Sequence, residues 1–104
     1  MLICLYFRHI MKIGNIKLKN NLVLAPMAGV TDLAFRRLAV DQGCGLVVSE
    51  MVSSKGLLMG GDKTRLLLAS TPEEKPLSVQ LFGDDPEVMG EAAILVEQIG
   101  RAHV

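Results

Sequence analysis

Three times in this chain a short apolar run ends at a turn or polar residue and gives way to a stretch with helical spacing. That alternation limits the fold more than any other feature. The runs are Leu22–Ala25, closed by Pro26; Leu46–Ser49, followed by Glu50-Met51; and Leu77–Leu81, closed by Gly83. Short runs of this kind predict strands buried on both faces, as in parallel sheets. After the first, Thr31 or Asp32 can cap a helix whose apolar positions Phe35, Leu38 and Ala39 form a stripe, with Gly43 as its stop. After the second, Ser53–Met59 and Lys63–Ala69 read as short helices parted by Gly60-Gly61. After the third, Asp85-Pro86 supplies a cap and a first-turn proline, and Val88, Ala92, Leu95, Val96 and Ile99 lie along one stripe. A hairpin precedes them all, with Lys12–Ile13 and Ile16–Leu18 flanking Gly14-Asn15. Strand–helix repetition argues for an α/β fold with a parallel sheet and right-handed crossovers. Three such units neither close a barrel nor make a usual doubly wound sheet, so the expectation is part of a larger fold.

Composition removes several classes. Half of the 104 residues are hydrophobic and 21% are charged, enough apolar material for a core. No apolar run approaches the roughly 18 residues of a membrane-spanning helix. Net charge is zero but unevenly spread. Residues 1–31 hold Arg8, Lys12, Lys17 and Lys19 and no acid, whereas residues 71–104 hold seven acids against Lys75 and Arg101. Cys4 and Cys44 form no CxxC and have no His at metal-ligand spacing. Cys44, after a glycine, reads as a small buried hydrophobe. Without a disulfide framework, a reducing, cytoplasmic setting is expected.

The ends read differently from the middle. MLICLYFRHI lacks the basic start, long apolar stretch and small-residue cleavage site of a secretory signal. Met11 looks like a natural start, so residues 1–10 are expected to be a non-native extension, with a short amphipathic anchor as the alternative. At the other end, Ile99–Val104 can be back-translated to a string that coincides with a widely used sequencing adapter. Residues 99–104 are therefore expected to be read-through, and His103 carries no catalytic weight.

Gly56 to Thr64 superficially suggests a phosphate-binding loop. That motif needs Lys directly after its second glycine, and here Asp62 intervenes, in a segment that no strand leads into directly. Leu24-Ala25-Pro26-Met27-Ala28-Gly29-Val30-Thr31-Asp32 is a better candidate. It sits at the C-terminal end of the first strand, where parallel α/β folds bind ligands. Pro26 stiffens it, Ala28 and Gly29 allow a flat ligand near the backbone, and Met27 offers a soft contact to a ring. Glu50 and Gln80 stand at the ends of the next two strands. Glu50 reads as a structural carboxylate accepting backbone N–H groups. The Gln80 amide can donate and accept together, matching a flavin or nucleobase edge.

APMAGVTD, VVSEM followed by SSKGL, DKTRLLL and SVQLFGDDPEVM together resemble the N-terminal segment of the tRNA-dihydrouridine synthases, in their bacterial B-type, nitrogen-regulation-associated branch. The resemblance runs from Met11 to about Gln98. It implies the N-terminal part of a (β/α)8 TIM barrel, residues 11–98 supplying the hairpin and three βα units of a fold of about 250 residues. It further implies an FMN enzyme recharged by NADPH, with tRNA as substrate. The flavin N5 gives hydride to C6 of uracil, a cysteine acid protonates C5, and 5,6-dihydrouridine results. By the matching motifs, Pro26, Met27 and Ala28 line the flavin and Gln80 hydrogen-bonds its ring edge. The family's acid cysteine lies in an Asn-x-Gly-Cys-Pro segment that these 104 residues do not contain, and Cys44 is not its counterpart. The chain alone is therefore expected to be inactive. The alternatives are another flavin barrel oxidoreductase, such as a dihydroorotate dehydrogenase or an ene-reductase, and a small non-catalytic binding protein derived from such a barrel.

Overall fold

The structure, a computed structural model, describes residues 11–102. The expectations placed on residues 1–10, Cys4 and His103 lie outside the described residues. The chain opens with a hairpin, β1 (Lys12–Ile13) against β2 (Ile16–Lys17), joined by Gly14-Asn15. Gly14 takes φ +57°, the left-handed conformation that two-residue hairpin loops need. Next come β3 (Val23–Leu24), α1 (Leu33–Asp41), β4 (Leu46–Val48) and β5 (Val52–Ser53). Two short helices follow, α2 (Ser54–Leu58) and α3 (Asp62–Leu66), then a 3-10 turn at Pro72–Glu74. The chain then forms β6 (Leu77–Ser78), β7 (Leu81–Phe82) and α4 (Pro86–Ala102).

The architecture is α/β with parallel sheets. β3, β4 and β6 pair in parallel in that order, and β5 pairs in parallel with β7. The expected third strand, Leu77–Leu81, is thus divided in two, whereas the expected second, Leu46–Ser49, ends at Val48 and is followed by an unexpected short strand, β5, that takes Ser53 from the expected helix. Ser49–Met51 parts β4 from β5 and Val79-Gln80 parts β6 from β7, at matching heights of the ladder. The interruption is closed by a side chain. The Ser49 N–H donates to the Ser78 carbonyl at 2.8 Å, and the Ser49 hydroxyl accepts from the Gln80 N–H at 3.0 Å. The ladder resumes where the Val52 N–H donates to the Gln80 carbonyl at 2.8 Å. Ser49 is wholly buried, and its hydroxyl does what a strand carbonyl would otherwise do.

Double-sided burial holds for the middle strand only. Val47 in β4 is 0% exposed, whereas Val23 in β3 is 46% exposed. β3 and β6 each have one strand neighbour among the described residues, so their apolar side chains are only partly covered. The main core lies on the other side. Val52, Leu57, Leu68 and Ala92 are buried together, with Leu81, Leu95, Val96 and Ile99 packed against them. α4 packs on α2 and β7, and its expected stripe supplies Ala92, Leu95, Val96 and Ile99 to this core. Asp85 caps α4 as expected, its Oδ1 accepting from Glu87 and Val88 N–H at 2.9 and 3.3 Å.

α1 departs from its expected stripe. Asp32, not Thr31, is the cap, accepting from the Phe35 N–H at 2.9 Å, and Gly43 follows the helix at φ +102°. Phe35 and Leu38 are 38% and 57% exposed, and the buried residue is Arg36. A guanidinium with acceptors waiting on that side decides which face turns inward. The rejected phosphate loop is also placed differently from expectation. β5 leads straight into α2, but Gly56 lies inside that helix and Lys63 inside α3, so no backbone cradle forms.

Gly45 joins α1 to β4 where no larger residue fits. A Cβ there would lie 2.7 Å from the Asn20 carbonyl oxygen and 2.5 Å from Asn20 Oδ1. Asn20 cannot retreat, because it donates to the Gly43 carbonyl at 2.7 Å and accepts from the Leu22 N–H at 3.0 Å. Gly45→Ala is expected to lower the unfolding free energy by about 2 kcal/mol, read from the urea midpoint at unchanged slope.

Candidate functional site

The segment after β3 folds into a compact loop over residues 25–32. Its closure depends on Thr31, which is wholly buried. The Thr31 hydroxyl accepts from the Met27 N–H at 2.9 Å and lies 3.2 Å from the Met27 carbonyl, which it can reach as donor. The same carbonyl accepts from the Val30 and Thr31 N–H groups at 3.0 and 2.9 Å. Gly29 completes the turn at φ +76°, a conformation that glycine adopts without steric cost. Space in front of it is open, since a Cβ on Gly29 would meet nothing within 4 Å.

Two strand ends join this loop. Glu50, in the gap between β4 and β5, accepts from the Gly29 N–H through Oε1 at 2.6 Å. The expected structural role of Glu50 is therefore what the geometry displays. Its neighbour Ser49 holds the Gln80 N–H and also donates to the Glu50 carbonyl at 2.9 Å. A continuous hydrogen-bonded path thus runs from Gly29 through Glu50 and Ser49 to Gln80. These bonds use the backbone of Gln80 at both ends and leave its side-chain amide out. Gln80 is half-buried at the break between β6 and β7, not inside an unbroken apolar strand as expected.

The four expected ligand contacts thus belong to one connected region. Met27 is 49% exposed, Ala28 is exposed and Pro26 is half-buried. An apolar side chain, a small residue and a turn with open space before it suit the face of a planar ring. A free primary amide at the next strand end suits its edge. A flavin's ring system fits this set in chemistry. Among the described residues, no group of three or more His, Cys, Asp or Glu is placed to hold a metal ion. Cys44 is buried as expected, its Sγ 3.1 Å from the Leu46 carbonyl oxygen.

A cavity of about 890 Å³ lies elsewhere, against α4, lined by Leu68, Leu77, Val79, Leu81, Val96 and Ile99 among others. None of Pro26, Met27, Ala28 or Gln80 lines it. Its apolar wall offers little to orient a ring, so it is the uncovered side of the core and not the candidate site.

Sequence reasoning passed over three supporting residues, Thr31 as loop closure, Ser49 as ladder substitute, and Arg36. Only Ser49 carries a local signal, as a polar residue ending an apolar run. The partners of the others are fixed by tertiary contact.

A family model described as dihydrouridine synthase (Dus) matches residues 23–104. The tRNA-dihydrouridine synthase B of Shewanella oneidensis is 51% identical over 83 residues, covering 80% of this chain and 26% of that protein. The one from Pseudomonas aeruginosa is 50% identical over 84 residues, covering 81% and 25%. The one from Escherichia coli K12 is 46% identical over 83 residues, covering 80% and 26%. The chain spans about a quarter of the length of these curated relatives.

The Glu50–Gly29 bond is the tie between loop and sheet that a single change removes. Glu50→Ala is expected to speed amide exchange at Gly29 and cost about 1 kcal/mol of stability, the small value reflecting solvent access. Glu50→Gln, which keeps an oxygen acceptor, is expected to lose less on both measures.

Proposed function

Since the chain belongs to the dihydrouridine synthase family, we propose that it supplies the first flavin-contacting segments of a tRNA-dihydrouridine synthase of the B type. The carrying observation is the hydrogen-bonded path from Gly29 through Glu50 and Ser49 to Gln80, which ties the exposed loop to the backbone of the strand end that carries Gln80. On this reading residues 11–98 are the hairpin and first three βα units of a TIM barrel, with ligands at the C-terminal ends of its strands.

FMN is the cofactor this region suits, with NADPH as its reductant and a tRNA uridine as the substrate. When bound, the flavin supplies the hydride that saturates the uracil C5=C6 bond. The residues of this chain hold and orient it. Met27 and Ala28 offer apolar contact to a ring face, Pro26 limits how far the loop can move, and the Gln80 amide pairs with a ring edge through one donor and one acceptor. Glu50 and Ser49 act on the backbone, fixing the two contact segments relative to each other. Among the described residues no cysteine is exposed to serve as the acid for C5, because Cys44 is buried between α1 and β4.

A target uridine must leave the stack to lie on a flavin, so tRNA contact would involve surface beyond this loop. No helix among the described residues is long and apolar enough to cross a membrane, and a cytoplasmic setting suits a tRNA-modifying enzyme.

A chimera tests the reading. Residues 11–98 replace the matching segment of the Shewanella oneidensis relative, and the product is expressed in cells lacking tRNA-dihydrouridine synthases. Dihydrouridine is expected to reappear in tRNA, and Gln80→Ala in the chimera is expected to weaken flavin retention by about tenfold. A well-folded chimera that retains FMN yet forms no dihydrouridine would overturn the substrate assignment. The isolated chain is expected to bind FMN weakly and reduce nothing. Yellow protein with one equivalent of tightly held flavin would show that the rest of the barrel is not needed for binding.

A further inference from the structure

Behind the candidate loop lies a charged constellation that the proposed chemistry does not use. Arg36 is 1% exposed and Glu74 is 0% exposed, with Nη2 and Oε1 separated by 3.2 Å. The guanidinium also donates to two backbone carbonyls. Nη1 reaches Thr31 at 2.9 Å, and Nη2 reaches Ala69 at 2.8 Å. Arg36 Nε and Glu74 Oε2 are buried and have no hydrogen-bond partner.

A pair present only to stabilise the fold would be poorly made. Burying two charges is offset only when every donor and acceptor is satisfied, and apolar residues of similar volume often serve as well. What this pair does provide is direction. The planar fork of a guanidinium fixes the angles of its bonds, which a lysine ammonium does not. One arm holds the carbonyl of Thr31, whose hydroxyl closes the loop on Met27. The other holds Ala69 and Glu74, in the segment that leads into β6 and Gln80.

We infer that Arg36, held by Glu74, is a positioning residue that sets the spacing between the Met27 loop and the segment carrying Gln80, an assignment that rests on the flavin reading of that loop. Arg36 touches no reacting group and acts through Thr31. Glu74 keeps the fork from turning. The buried pair is thus a rigid back wall for both halves of the site.

The full chain can be tested with two variants that preserve bulk. Arg36→Lys keeps the charge and loses the fork, while Arg36→Met with Glu74→Met replaces the pair by apolar side chains. Amide hydrogen exchange is read at Met27 and, as a distant control, at Ala92 in α4. FMN affinity is read by quenching of flavin fluorescence. Both variants are expected to speed exchange at Met27 by about tenfold relative to Ala92, and to weaken FMN by a similar factor. Thr31→Val is expected to give a comparable loss, and combining it with Arg36→Lys should add less than the product of the single effects. Unchanged exchange at Met27 in both Arg36 variants would overturn the assignment. So would equal acceleration at Met27 and Ala92, which would make the pair a merely stabilising one. Should the unaltered chain fail to quench FMN, affinity is read in the chimera instead, where a folded product that retains no FMN overturns the flavin reading by itself, and the exchange ratio still decides what Arg36 does.

Discussion

A guanidinium that has lost its water must find acceptors, and Arg36 finds three, one nearby in the sequence and two far from it. Thr31 is five residues away, Ala69 thirty-three and Glu74 thirty-eight. The charge therefore draws the loop after β3, the end of the α2–α3 region and the 3-10 turn onto one face of α1. Deleting one member of such a pair typically costs about 3–5 kcal/mol, because the other is left buried and alone. That penalty makes the arrangement specific, since other ways of folding α1 against the sheet would strand a charge. With Arg36 facing inward, Phe35 and Leu38 of the same helix are exposed, while Leu33 and Val40 stay half-buried.

The interrupted ladder works in a similar way on a smaller scale. A parallel pair of strands without a break would place Glu50 and Gln80 in regular positions, their backbones fully used in the sheet. The break moves them to its rim, and Ser49 repairs the hydrogen bonding that the break would otherwise lose. Polar side chains arrive at the strand ends while the Ser49, Val52 and Gln80 N–H groups stay paired. The Glu50 carboxylate is then free to hold Gly29, and the Gln80 amide is free for a ligand. Structure and candidate chemistry thus meet in one short stretch, where the sheet gives up regularity and presents polar side chains at its rim.

Much of the fold was legible because it rests on local rules. Asp32 and Asp85 cap helices because a short carboxylate reaches the N–H groups of the first turn. Gly43 ends α1 because it tolerates a left-handed backbone, and Gly14 turns the hairpin for the same reason. The candidate site was legible in part. Pro26, Met27, Ala28 and Gln80 stand at ends of apolar runs, and strand ends are where parallel α/β folds expose side chains. What could not be read were Thr31 and Arg36 as builders of the site, while Ser49 showed only as a polar residue ending an apolar run. A buried arginine looks like any surface arginine until its acceptors are known, and those acceptors come from segments whose approach depends on the whole packing.

The strand–helix alternation, with its caps and glycine stops, determined by itself that this chain forms α/β structure with parallel pairing, because each signal acts within a few residues. The motifs along it likewise determined the family. Tertiary structure alone decided that pairing resumes in β5 after the run ending at Ser49, that the third strand breaks at Val79-Gln80, and that α1 turns its arginine and not its phenylalanine inward. It also decided that Glu50 reaches back to Gly29. Each of those outcomes depends on satisfying polar groups between distant segments, and desolvation makes its demands only once those segments are brought together.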